Sequence, residues 1–216
     1  MPFRCYPPPV SALPRFASIL ALSLSLAACS GMQSPGAAQP RTPRDYFPLR
    51  ANAAWSFDSQ DMGGDGTPAG LVVMRVVRED SSNGFFVQQG NRGAPALYEF
   101  RDGGVMRNGE LILSGPLDAG TRWQGASRDS YVIRNVGLTR TVMAGTFHDV
   151  IEVVHTAADA TLNNGTEYRE TYFYAPNVGP IEAIIPVMIP RTEQGAPPEV
   201  RRFHLTLRGY TLDGQF

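Results

Sequence analysis

The chain contains no lysine: all 19 of its basic residues are arginine, set against 20 acidic residues. Chemistry that needs a lysine amine, such as Schiff-base catalysis or attachment of pyridoxal phosphate, is therefore excluded. A Walker-type phosphate loop is excluded for the same reason, because its lysine has no candidate. With a formal net charge of -1, the chain also lacks the basic surface typical of nucleic-acid binding, so no nucleic-acid partner is expected.

Cysteine is almost absent as well, with only Cys5 and Cys29 among 216 residues. Arg4 and Arg15 precede an apolar stretch, residues 16–28, that ends in small residues. A positive region, a short apolar region and small residues before a cleavage point are typical of a secretory signal peptide. The apolar stretch is shorter than the roughly 20 residues that span a bilayer. The segment is therefore predicted to be a signal peptide.

The four residues that end this segment, Leu26-Ala27-Ala28-Cys29, resemble the processing box of bacterial lipoproteins. The resemblance implies a diacylglycerol on the Cys29 sulfur, cleavage before Cys29 and acylation of the new amino terminus, which together anchor the protein to a membrane. Ser30 stands where lipoproteins kept at the inner membrane carry aspartate, so the resemblance implies the periplasmic face of the outer membrane. An ordinary secreted protein with a chance cysteine is the alternative.

The domain organisation follows from these features. We predict a lipoprotein signal peptide over 1–28, a lipidated cysteine with a disordered tether over 29–44, and a single β-rich periplasmic domain over 45–216. The tether is rich in Pro, Gly, Gln and Ala and has almost nothing to bury. Because Cys5 leaves with the signal peptide, the mature chain is expected to have no disulfide and no cysteine-based zinc site.

The remaining sequence has the composition of a β protein. Short segments rich in Val, Ile, Phe, Tyr and Thr alternate with clusters of Gly, Asn, Asp and Pro. This spacing predicts an all-β fold, an antiparallel meander that forms a curved sheet, half-barrel or open barrel. Residues 180–189 are apolar on both faces and include Pro186, which predicts an edge strand or an irregular crossing. Two similar stretches, 48–55 and 116–123, each end in tryptophan and suggest two similar half-sheets.

Three stretches together resemble a group of uncharacterised bacterial secreted proteins and lipoproteins with β domains. They are YFPLRANAAWSF (46–57), VMAGTFHDVIEV (142–153) and TYFYAPNVGPIEA (171–183). The resemblance implies a strand-rich periplasmic domain and no established activity. Asn52 and Asn177 stand where the pattern of the group has glycine. Asparagine is the next residue to tolerate a left-handed backbone, so we expect both turns to survive.

The residues that carry chemistry form no recognised catalytic motif. The sequence has no Gly-x-Ser-x-Gly, no His-Glu-x-x-His and no Gly-x-Gly-x-x-Gly. His148 and His155 are predicted to point to opposite faces of one strand, while a pairing of His155 with His204 stays open. The segment DMGGDG, 61–66, lacks the oxygen ligands of a calcium loop. We therefore predict no catalytic residue, no cofactor and no metal site.

Three functions compete on the sequence alone. The leading one is a non-enzymatic outer-membrane lipoprotein that binds a protein or lipid partner or helps envelope assembly. The second is a carrier of lipid or another hydrophobic ligand in the concave face of the sheet. Its motive is a set of methionine and aromatic strand residues, Met74, Phe86, Met143 and Tyr174. The third is a hydrolase, which would need Ser, His and Asp to converge in space.

Overall fold

The computed structural model describes residues 41–64, 68–80, 84–90, 94–125, 128–161, 167–189, 191 and 199–213, with side chains omitted at 159–161 and 167. The predicted signal peptide, its processing box and residues 29–40 of the predicted tether lie outside the described residues. Across the described ranges there is no helix long and apolar enough to cross a membrane.

In the described part of the chain, twelve β-strands form one antiparallel sheet. They are β1 (Ala54–Asp61), β2 (Pro68–Glu79), β3 (Gly84–Gln89), β4 (Ala96–Arg101), β5 (Gly104–Arg107), β6 (Glu110–Leu113), β7 (Arg122–Gln124), β8 (Ser130–Val142), β9 (Gly145–Thr161), β10 (Glu167–Ala175), β11 (Gly179–Ile189) and β12 (Glu199–Thr211). The predicted all-β antiparallel fold is confirmed.

The two edge strands of the sheet, β6 and β7, come from the middle of the described chain, whereas its first and last strands, β1 and β12, pair with each other. The strand order is β6-β5-β4-β3-β2-β1-β12-β11-β10-β9-β8-β7, so two six-strand meanders join where β1 pairs with β12. The sheet curls into a nearly closed barrel with one unsealed seam, which lies between its edge strands β6 and β7. The first strand of each meander carries one of the two tryptophans, Trp55 in β1 and Trp123 in β7.

Side chains bridge the seam between β6 and β7. The Trp123 indole N–H donates to the Leu111 carbonyl at 2.9 Å, and the Tyr131 hydroxyl donates to Glu110 Oε1 at 2.6 Å. The rings of Trp123 and Tyr131 stack with their centroids 5.3 Å apart. These contacts cover two sheet edges that would otherwise be open to pairing with other strands.

The core is a single cluster of apolar side chains. Trp55 is its largest fully buried member, and its indole N–H donates to the Val178 carbonyl at 2.6 Å. Other fully buried side chains are those of Leu113, Ile133, Ile151, Ile181 and Leu207. Each large apolar side chain removed from water contributes about 1.5–3 kcal/mol to stability. Burial of this cluster therefore stabilises the curled form of the sheet.

The prediction of an edge strand at residues 180–189 holds only for residues 185–189, which the described ladders pair on one side alone. β11 pairs with β10 on one side and with β12 on the other. The ladder to β10 ends at Ile184, so the N–H that Pro186 lacks falls outside that ladder. The Pro186 carbonyl instead accepts a hydrogen bond from the Tyr168 hydroxyl at 3.0 Å.

The β8–β9 hairpin bends out of the ladder and reaches β11 and β12. Near its tip, the Ala144 N–H donates to the Leu207 carbonyl at 3.1 Å, and Arg140 forms an ion pair with Glu182. Three register shifts between Ile133 and Arg140 interrupt its pairing, and Gly137 has a φ of 67°. Bulges of this kind bend a strand and increase its twist.

The turns at Asn52 and Asn177 survive as expected, with φ values of 65° and 60°. Residues 41–44, assigned to the tether by composition, contact the sheet. Arg41 Nη2 lies 2.9 Å from Asp149 Oδ2, and the Arg44 guanidinium lies 4.4 Å above the ring of Phe100. The folded region therefore includes residues 41–44, because Arg41 and Arg44 contact side chains of the sheet.

Candidate functional site

A narrow cavity of about 90 Å³ lies inside the barrel. Its apolar lining includes Phe57, Val72, Met74, Ala183, Ile185 and Leu205. Its polar lining includes Tyr98, Arg107, Tyr131, Glu170, Tyr172 and Tyr174. These apolar residues come from β1, β2, β11 and β12, whereas the polar ones come from β4, β5, β8 and β10, nearer the seam. The cavity therefore has an apolar wall opposite a polar one.

His155 lies behind the polar wall, opposite Glu170 on one side and Tyr131 on the other, and is buried. Its Nδ1 is 2.9 Å from Glu170 Oε2, and its Nε2 is 3.0 Å from Asp129 Oδ2. An ionised carboxylate only accepts hydrogen bonds, so only the protonated ring, an imidazolium, donates to both carboxylates at once. Burial acts to lower the pKa of His155, but the hydrogen bonds to Glu170 and Asp129 outweigh it and the pKa is raised. Tyr131 stacks on the ring with centroids 4.5 Å apart.

The two carboxylates beside His155 have further donors. Glu170 accepts hydrogen bonds from the Tyr172 hydroxyl at 2.7 Å and the Tyr168 hydroxyl at 3.0 Å. Burial acts to raise the pKa of Glu170, but the hydrogen bonds from His155 and Tyr172 outweigh it, so the pKa is lowered. Burial also acts to raise the pKa of Asp129, and hydrogen bonds from the Ala158 N–H and His155 lower it overall. Both carboxylates are therefore ionised at neutral pH.

The tyrosines of the polar wall keep their protons. Burial, together with the neighbouring Glu170 charge, raises the pKa of Tyr168 to about 12. Burial likewise raises the pKa of Tyr172 and Tyr174 above the ordinary value for tyrosine. Their hydroxyl groups therefore act as hydrogen-bond donors across the physiological pH range.

Arg107 lies where the cavity meets an outer cleft. Its side chain lines both, as do those of Met74, Gln89 and Tyr98. Among the described residues, the carboxylate closest to its guanidinium is Glu110, whose Oε2 is 3.8 Å from Nη2 and beyond hydrogen-bond distance. Arg107 is therefore a permanent cation at the cavity mouth that is only loosely paired with a carboxylate.

Glu110, Asp129 and His155 each offer a donor atom within 4.8 Å of the others, an arrangement that could hold a metal ion. Glu170 contacts His155 Nδ1, as a carboxylate contacts the second nitrogen of a metal-binding histidine in many metal sites. However, a metal would have to replace the Nε2 proton that Asp129 accepts, and Glu110 already accepts from Tyr131. The hydrogen bonds thus describe an ion-pair centre, and the absence of a metal stays a prediction.

A second charged cluster lies on the outer face of the sheet. Ala183 lines the cavity, so its neighbour Glu182 points outward. Glu182 accepts hydrogen bonds from Arg140 Nε at 2.9 Å and from His204 Nε2 at 2.7 Å. The Arg140 guanidinium also lies 4.4 Å above the ring of Phe173. Burial acts to raise the pKa of Glu182, but the hydrogen bonds from His204 and Arg140 lower it overall.

The structure separates the three histidines. His155 faces the barrel interior and His204 the outer face, so the pairing of these two that the sequence left open is not formed. His148 is exposed, with Nδ1 3.1 Å from Thr139 Oγ1. No sequence pattern predicted the centre formed by Asp129, His155 and Glu170, because its members come from three separate segments. The predicted site residues Leu26, Ala27, Ala28 and Cys29 lie outside the described residues.

Comparison with known proteins finds no matching family model and no matching curated protein. Two solved structures are similar. A Bacteroides fragilis protein, described as exported and with a YmcC-like fold, has 12% identity and a TM-score of 0.39, covering 76% of this chain and 98% of its own. A Parabacteroides distasonis protein, described as a lipoprotein, has 13% identity and a TM-score of 0.37, covering 77% and 98%. Similarity of this size carries no information on the function of this chain.

Proposed function

We propose that this chain is a non-enzymatic lipoprotein of the bacterial outer membrane whose barrel binds a small hydrophobic ligand. The observation that carries the ligand part is the cavity, with an apolar wall from β1, β2, β11 and β12 facing a polar wall. Small β-barrels commonly hold one ligand in such an interior. Apolar pockets with a few placed polar groups are the usual form of small-molecule sites. The proposal therefore combines two functions that the sequence suggested separately, a lipoprotein that binds a partner and a carrier of a hydrophobic ligand.

The state of His155 supports the non-enzymatic part of the proposal. A general base needs a ring nitrogen that can accept a proton from substrate or nucleophile. Both nitrogens of His155 donate to carboxylates instead, at 2.9 and 3.0 Å. The buried histidine that a hydrolase would require is thus held as a structural cation.

Ligand binding is tested by filling the cavity. The folded domain, stripped of lipid, is titrated with the neutral fluorescent probe N-phenylnaphthylamine. The variant Ala183→Phe places a ring where a buried side chain lines the cavity, whereas Ala51→Phe is a matched change on an exposed turn. We expect probe binding in the wild-type domain and in A51F, and its loss in folded A183F. Absence of binding in the wild type, or unchanged binding in A183F, would contradict the proposal.

The anchor is tested separately, on the full chain in a Gram-negative host. Cys29→Ala is expected to release the protein from the outer-membrane fraction, and mass spectrometry of the wild type should show an acylated Cys29 at the mature N-terminus. Cys5→Ala is the matched control, because Cys5 is removed with the signal peptide and should leave membrane association unchanged. A membrane-bound C29A protein would contradict the anchor.

A further inference from the structure

We infer that the ligand is a single-chain amphiphile with an anionic head, a carboxylate or a phosphate, and that Arg107 at the cavity mouth binds this head. The inference rests on the proposed function and deepens it, because it assigns the chemical class of the ligand in the same cavity. It combines three observations: the position of Arg107, the pairing of the acidic groups around it, and the narrow apolar space that it adjoins.

The position of Arg107 is that of a head-group contact. The residue ends β5, and its side chain lines both the cavity and the outer cleft. A ligand that leaves its head near this boundary keeps the head partly hydrated while its tail enters the barrel. The Arg107 side chain is 37% exposed, so binding an anion there does not require full removal of the charge from water.

The acidic groups around the cavity already have close donors, whereas the guanidinium has no close carboxylate. Glu110 accepts from the Tyr131 hydroxyl at 2.6 Å, and Glu170 from His155 and two tyrosine hydroxyls. The closest carboxylate oxygen to Arg107 among the described residues lies 3.8 Å away. Arginine presents five N–H donors in a planar fork that matches a carboxylate or phosphate. The wall gives the guanidinium a hydrogen bond with Tyr98 but no close carboxylate, so an anionic head would supply the charged acceptor that Arg107 lacks.

The shape of the apolar space limits the tail. The cavity, at about 90 Å³, is much smaller than the roughly 300–1,000 Å³ of sites for drug-sized ligands. Its apolar lining of Phe57, Val72, Met74, Ile185 and Leu205 offers no polar partner to a ring substituent. A single alkyl chain fits such a space better than a two-chain lipid. Each methylene that it buries adds to the affinity.

The test compares head groups on one chain length. The delipidated wild-type domain is titrated by calorimetry with dodecanoate, monododecyl phosphate, dodecanol and dodecyltrimethylammonium. We expect the two anions to bind about tenfold or more tighter than the alcohol, as a charge-assisted contact predicts, and the cation to bind weakest. The two anions distinguish a carboxylate head from a phosphate head. This series needs no variant and decides the inference even where a variant fails to fold.

The variant Arg107→Gln then assigns the effect to one residue. It should weaken binding of the two anions far more than binding of dodecanol, and so remove the preference for the anions. Arg101→Gln is the matched control, since Arg101 is exposed, pairs with Asp102 and does not line the cavity. Equal binding of dodecanoate and dodecanol by the wild type, or an unchanged preference in R107Q, would overturn the inference and leave the proposed function standing. Binding of none of these amphiphiles, nor of N-phenylnaphthylamine, would overturn the proposed function itself.

Discussion

The charged centres on the two faces of the sheet are built in opposite ways. Inside the barrel, His155 is one cation between two carboxylates, Asp129 and Glu170. On the outer face, Glu182 is one carboxylate between Arg140 and His204. Each centre thus has a central group that contacts two partners on either side.

The two centres differ in how far their outer members can relax. The Arg140 and His204 side chains are 37% and 29% exposed, so either side chain can turn toward water. The Asp129 and Glu170 side chains are 18% and 14% exposed. Two carboxylates left without their cation in a poorly hydrated site repel each other and lose stabilisation. The comparison therefore predicts that the barrel tolerates loss of the outer central ion better than loss of the inner one.

The largest effect is expected from His155→Phe, which keeps an aromatic ring against Tyr131 and removes the charge. Breaking a buried ion pair by removing one partner costs about 3–5 kcal/mol, and we expect a loss of that size in the free energy of unfolding at neutral pH, measured by urea denaturation. His148→Phe is the control, since His148 is exposed and a surface change stays within about 0.5 kcal/mol. Equal losses in the two variants would refute the asymmetry.

Removal of only the proton from His155 should have a smaller effect than replacement of its imidazole by the phenyl ring of His155→Phe. The raised pKa of His155 gives stabilisation that is complete below its unfolded value of about 6.5 and lost as pH rises through the folded value. The lowered pKa values of Asp129 and Glu170 give stabilisation that is complete above their unfolded values near 4 and lost as pH falls. Unfolding measured across the pH scale should therefore show greatest stability between about pH 4.5 and 6.5.

The same variant provides the control for this profile. In H155F the alkaline decline should disappear, because the group that loses its proton is gone. A wild-type stability that rises steadily from mildly acidic to alkaline pH would contradict the imidazolium assignment.

The next effect in size is expected from Glu182→Gln on the outer face. The substitution keeps the shape and one acceptor, and the Arg140 and His204 side chains can move toward solvent. We expect a loss of about 1–3 kcal/mol, the range for hydrogen bonds to charged groups, and less than the loss in H155F. Glu199→Gln is the matched control, because Glu199 pairs with Arg201 at the surface, where ion pairs contribute about 0–1 kcal/mol. A loss in E182Q that exceeds the loss in H155F would reverse the comparison.

The smallest effect is expected from Arg140→Lys, which keeps the outer charge. The ammonium cannot reproduce the two-point contact with Glu182 or the flat stacking on Phe173. We expect a loss of about 0.5–1 kcal/mol, in keeping with an exposed cation–π contact. Arg208→Lys, at a surface pair with Asp58, should change stability less. If R140K matches the loss in E182Q, the geometry of the fork rather than its charge stabilises this centre.

The local features of the fold could be predicted from the sequence. Alternation and turn residues determine strands and hairpins over short distances, and the left-handed turns at Asn52 and Asn177 follow from the side chain alone. Two Trp-ending stretches correctly indicated a division into halves, which begin at β1 and β7. The position of β11 between two neighbours could not be read from Pro186, because it depends on where the ladder to β10 ends.

The inner centre, formed by Asp129, His155 and Glu170, could not be predicted from the sequence for a related reason. Residues 163–166, which lie outside the described residues, contain an Asn-Gly pair, a sequence that favours a two-residue hairpin turn. A turn there would pair His155 with Tyr174 in an unbroken ladder. The register shifts between Glu167 and Arg169, and Glu170 stands opposite His155 instead. Asp129 reaches the same ring from before β8. One irregular step in a ladder thus decides which side chains meet, and it leaves no pattern in the sequence.

The pairing of β1 with β12 has a consequence for how the chain folds. Within each half, successive strands are neighbours and can form through short loops, at a low entropic cost of closure. Trp55 lies opposite Tyr210, so joining the halves requires contact between two distant parts of the chain. Folding slows as contacts between distant residues dominate. We therefore expect two meanders that form early and a slow step in which the ends of the chain meet at the centre of the sheet.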